Sequence, residues 1–111
     1  METAALLHEL KLLCEKLGIT VSERVLKSGA IRVQSGLCIV RGEARLILDR
    51  KLPDDEKVDI LLENLARVPM DSVFVIPHLR EKIDSFREKH KIEPANTVLE
   101  AATVKPSDYP L

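Results

Sequence analysis

Leu37-Cys38-Ile39-Val40-Arg41 and Ala44-Arg45-Leu46-Ile47-Leu48-Asp49-Arg50, joined by Gly42-Glu43, read as two strands folded back on each other. Both runs are rich in β-branched and aliphatic residues, and a glycine in first position permits a type II′ hairpin turn. In Leu37 to Val40 both faces are apolar, which predicts a central strand covered on each side. Upstream, Ile19, Val21 and Val25 alternate with Thr20, Ser22 and Arg24, the period of a half-buried strand, with Glu23 the one inward mismatch. Residues 26–36 carry Ser28, Gly29, Ser35 and Gly36, the composition of a loop or a bulged strand entry.

Helical patterns flank this β-rich middle. Leu6, Leu7, Leu10, Leu13, Cys14 and Leu17 keep helical spacing over residues 2–17, and Gly18 is placed to stop the helix. From 54 to 68 the stripe Val58, Leu61, Leu62, Leu65 and Val68 predicts a second helix, with Asp54, Asp55 and Glu56 in its first turn, where the macrodipole favours them, and Pro69 beyond it. Val73 to Ile76 is a short strand candidate, and Pro77 opens a third helix with Leu79, Ile83 and Phe86 inward. Phe74 and Phe86 are both expected in the core. The expectation is an α+β domain over residues 1–90: a small, mainly antiparallel sheet of three or four strands with three helices, in the order α-β-β-β-α-(β)-α. Residues 91–111 hold three of the six prolines and little periodicity, so they are expected to form a C-terminal tail, extended or docked through Val98-Leu99 and Tyr109-Pro110-Leu111.

Composition narrows the class. With 111 residues, 45% hydrophobic, 32% charged and 3% aromatic, the chain suits one domain with one core. No uncharged run is longer than the eight residues Val33 to Val40, which is too short for a spanning helix. No membrane association is expected. Two cysteines without CxxC spacing, Cys14 and Cys38, suit buried thiols in a reducing cytoplasm. The net charge of −1 gives no global field for steering toward nucleic acid or acidic lipid.

Catalytic signatures are missing from the pattern. His8, His78 and His90 lie far apart and write no HExxH helix. The four glycines spell neither a dinucleotide fingerprint nor a phosphate-binding loop, and no GxSxG elbow is present. No cofactor and no metal are expected. Charge is nevertheless uneven: Arg24, Lys27, Arg32, Arg41, Arg45, Arg50 and Lys51 outweigh Glu43 and Asp49 between 24 and 51. Arginines beside a tight turn can present guanidinium forks to phosphates, so Arg32, Arg41, Arg45 and Arg50 are the candidate contacts for nucleic acid or a phosphate ligand.

The run SGLCIVRGEARLILDRKLPDDEKVDILLENL also resembles a group of small bacterial proteins sharing the hairpin, an LILDR-like strand and an EK-rich helix, a resemblance that implies no activity. More distantly, over residues 36–68, a hairpin feeding an acidic-capped helix is similar to the core of ImmA/IrrE-type zinc peptidases. With Glu63 at the motif glutamate, the histidine positions hold Leu62 and Ala66, so that resemblance implies a version without metal. The sequence therefore leads to a non-enzymatic cytoplasmic interaction or accessory protein, self-associating as a homodimer or bound to another protein. Nucleic-acid or phosphate binding through the basic hairpin is the alternative, and a metal-free peptidase relative the second.

Overall fold

A computed structural model of the chain describes residues 2–25 and 36–103. In chain order the elements are α1 (Thr3–Lys16), β1 (Thr20–Arg24), β2 (Gly36–Val40), β3 (Glu43–Asp49), α2 (Asp54–Leu65), α3 (Pro77–His90) and α4 (Val98–Thr103). The α+β class follows from the sequence pattern, and the element order nearly so. Arg32 lies outside the described residues, as does Tyr109-Pro110-Leu111.

The ends of α1 show how local chemistry sets the boundaries. Gly18 takes φ +79° beyond the last turn, the Gly18 N–H donates to the Glu15 carbonyl at 3.0 Å, and the Ile19 N–H donates to the Cys14 carbonyl at 2.9 Å. This pair of bonds satisfies carbonyls that a helix end leaves orphaned, and it swings Ile19 into the core. Lys91 does the same at the end of α3 with φ +54°, a left-handed conformation uncommon for a side chain other than glycine.

The sheet order is β1-β3-β2. β2 and β3 form the expected antiparallel hairpin, Leu37 opposite Leu46, but β1 lies parallel to β3, Val21 beside Leu46 and Glu23 beside Leu48. The sheet is thus mixed rather than mainly antiparallel, and β3, not β2, is central. A hairpin leaves one open edge on each strand, and alternation alone does not say which edge receives a third. Here Asn64 of α2 occupies the outer edge of β2, its Oδ1 accepting the Leu37 N–H at 3.1 Å while its amide donates to the Ile60 carbonyl at 2.7 Å. The apolar run in β2 reflects two partly covered faces, and Ile39 remains 37% exposed.

The hairpin turn also sits one residue earlier than the Gly42-Glu43 reading. Val40 pairs with Glu43, leaving Arg41 and Gly42 as a two-residue loop, both at positive φ (53° and 80°), which is the type I′ pattern. Residues 73–76 are not a strand; Val75 is buried there while Phe74 points out. α2 ends at Leu65, three residues before the predicted limit.

Residues 91–103, expected as a tail either extended or docked, pack against the domain and carry the helix α4, which their little periodicity does not predict. The Ala95 N–H donates to the Arg67 carbonyl at 2.8 Å, and Ala101 of α4 is only 3% exposed. Thr97 Oγ1 accepts the Glu100 N–H at 3.0 Å, and the Glu100 carboxylate accepts the Asn96 N–H. Thr97-x-x-Glu100 is a helix-start signal that was open to sequence reading.

One face of the sheet is dry. Ala44, Leu46 and Leu48 of β3 pack with Leu10, Leu13 and Cys14 of α1, Val58, Leu61 and Leu65 of α2, and Leu79 and Ile83 of α3. Full burial of each such aliphatic side chain contributes about 1.5–3 kcal/mol. Ser22, Cys38, Val40, Arg45 and Ile47 on the opposite face are only half-buried.

Candidate functional site

Among the described residues, Arg41, Arg45 and Arg50 do not converge. Arg41 stands exposed at the hairpin tip, and Arg45 lies half-buried at mid-strand beside Cys38 and Thr20. Arg50 follows the far end of β3, five residues and about 17 Å of extended chain beyond Arg45. Glu43 and Asp49 share the face of Arg45, so signs alternate along it. Arg50 leans on β1, its guanidinium 3.5 Å from the Glu23 carbonyl. Arg45 Nε is buried without a hydrogen-bond partner among the described residues.

Glu23, the inward mismatch of β1, meets two cations. Its Oε1 lies 2.8 Å from Lys57 Nζ of α2 and 3.3 Å from Lys11 Nζ of α1, so one carboxylate ties both helices to the strand. Lys57 is 7% exposed, and a buried ammonium is tolerated only when paired. The Lys57 hydrogen bond is the largest influence on the Glu23 carboxyl and holds it below its ordinary value of 4.5; partial burial opposes this and Lys11 adds to it. A folded-state value below the unfolded one contributes stability that is complete above about pH 4.5 and is lost as the pH falls through the folded value. The stability gap between wild type and Glu23→Gln should therefore be full at pH 7 and shrink toward zero on acidification, as read from urea midpoints. A gap independent of pH would refute the pairing.

The titratable and reactive groups are otherwise scattered. Burial pushes the Cys14 thiol up to about 12, which keeps it protonated, and both cysteines are free. Cys38 is half-buried rather than buried. His8 and His78 are exposed, and His90 packs on Phe86 with ring centroids 4.3 Å apart. Glu63 lies 3.7 Å from Arg67 on the surface of α2. Among the described residues no three His, Cys, Asp or Glu side chains converge on a point, and no helix is long and apolar enough to cross a membrane.

A different feature emerges between α1 and the chain leading into α3. Leu12 and Leu13 of α1, with Phe74, Val75, Ile76 and Leu79, line a groove of about 370 Å³. Phe74, expected in the core, is 70% exposed, and Leu12 is 37% exposed. Val75 next to it is 5% exposed, so the backbone is anchored and the ring is displayed. Phe86 is half-buried. Glu9, Glu15 and Lys16 border the same groove, Glu9 and Lys16 seven residues and about 10 Å apart along α1. Alternation through 73–76 marks inside from outside, but its phase could not be set without the helix it packs against. Comparison of the chain with protein-family models, with curated proteins and with solved structures returned no match.

Proposed function

We propose that this chain is a non-enzymatic protein-interaction module of the cytoplasm, and that its contact surface is the Phe74 groove, which takes an amphipathic helix of a partner protein. The observation that carries this reading is the Phe74 ring, 70% exposed on a segment whose next residue is buried. An aromatic ring held outward by an ordered backbone beside an apolar groove is the composition of a binding hot spot. A helix is the favoured occupant because Glu9 and Lys16 set opposite charges two turns apart, matching a helix that runs antiparallel to α1 with its own charges at the same spacing. Two free cysteines support the reducing compartment.

The test places a photo-activated cross-linker in place of Phe74, irradiates it in extract of the native host and identifies the adduct by mass. The identified protein should then bind the purified chain, and Phe74→Ser should weaken that binding by about 30-fold, the loss of a hot-spot residue worth about 2 kcal/mol. Melting should stay within about 0.5 kcal/mol of wild type, as for an exposed side chain. No protein adduct, or binding indifferent to Phe74→Ser, overturns the reading.

A further inference from the structure

We infer that the helix seated in the Phe74 groove is α1 of a second copy of this chain; the inference rests on the groove reading above. The surface carries both halves of a self-complementary contact. Phe74 is the projecting element and the groove it borders is the recess, so a two-fold axis can lay each ring against the other copy's groove. The charges on α1 satisfy the same symmetry. An axis passing midway between Leu12 and Leu13 runs the two α1 helices antiparallel and sets Glu9 of each copy against Lys16 of the other, twice over. The exposed Leu12 side chains then meet at the centre. Glu9 and Lys16 have no ion-pair partner among the described residues, although Lys11, on the same helix, is engaged with Glu23. Neither charge is thus committed among the described residues, and their i,i+7 spacing spans Leu12 and Leu13, with Glu15 beside Lys16 on the same groove.

Sedimentation velocity on the purified full chain, from roughly 1 to 500 µM, tests this. The expected result is a concentration-dependent shift from the 12.5 kDa chain toward a mass of about 25 kDa. Lys16→Glu and Glu9→Lys should each weaken the dimer by about tenfold or more through like charges facing across the axis. The two changes together restore opposite charges in the same register and should return affinity to within about threefold of wild type. Phe74→Ser, which leaves the charges untouched, should also dissociate the dimer. A monomer throughout the range overturns the inference, as does a double variant that fails to recover while melting like wild type. The two readings separate cleanly: a monomer that still forms a Phe74-dependent adduct with a different protein removes the second copy and keeps the groove. A monomer with no such adduct removes both.

Discussion

Leu46→Ala is expected to cost roughly 3–5 kcal/mol, the range for truncating a fully enclosed leucine where the surroundings cannot collapse into the void. Leu46 has no exposed surface, sits on the central strand, and is flanked in register by Val21 and Leu37. It packs in the core with side chains of α1, α2 and α3, so both transfer and cavity contributions apply. A domain of this size is stable by only about 5–15 kcal/mol, so the substitution removes a large fraction of the total. At several degrees per kcal/mol, melting should fall by roughly 15 °C or more. Ile47→Ala, one residue along on the half-covered face, should cost about 1 kcal/mol under the same urea titration. Equal losses at 46 and 47 would mean that the sheet is covered on both sides.

Arg87→Ala is expected to cost about 2–4 kcal/mol for a different reason. From α3, Arg87 Nε donates to the Ala66 carbonyl at 2.9 Å and a terminal nitrogen donates to the Val68 carbonyl at 2.8 Å. Both acceptors belong to fully buried residues in the turn that closes α2, so removal of the guanidinium leaves two carbonyls without their charged donor. Arg87→Lys should recover less than half of the loss, because a single ammonium cannot span two carbonyls in the fixed fork of a guanidinium. Asp84, 3.5 Å from Arg87 and largely exposed, is a minor partner, and Asp84→Ala should cost no more than about 0.5 kcal/mol. A full rescue by lysine would indicate that charge, rather than the two directed bonds, is what the turn needs.

Three of the four helices are legible because each carries its own instructions: the leucine stripe of α1 with Gly18 after it, the acidic first turn of α2, and Pro77 at the start of α3. The hairpin was legible for the same reason. What local pattern could not supply was the partner of each edge. No local pattern says that β1 seats parallel on β3, while the Leu37 N–H of β2 is taken up by Asn64, 27 residues along the chain. Glu23 read as an error in an alternating strand until Lys57 and Lys11 arrived from two other elements. Phe74 was expected inside because aromatic residues usually are, and only the position of α1 shows which side of that segment faces the core. Arg41, Arg45 and Arg50 are legible as a cluster in sequence, but an extended strand spreads residues about 3.4 Å apiece and disperses what a helix or loop would have gathered. Thr97-x-x-Glu100 is itself a local helix-start signal, and α4 begins at it.

The strand order has a consequence for how the chain comes into being. β3, the last strand to be synthesised, is the one to which both others bond, and Thr20 must wait for Arg45 before its backbone finds a neighbour. During vectorial synthesis the hairpin can close as soon as residue 49 is available, a local event on the microsecond scale. β1 has no hydrogen-bonding template until that event is over, and it then docks by closing a much longer loop, a slower entropic step. A nascent chain stalled before β3 therefore presents α1 and an unpaired β1 with nothing to hold them, which makes that interval the time when this small domain is most exposed to chaperones, proteases and misassembly.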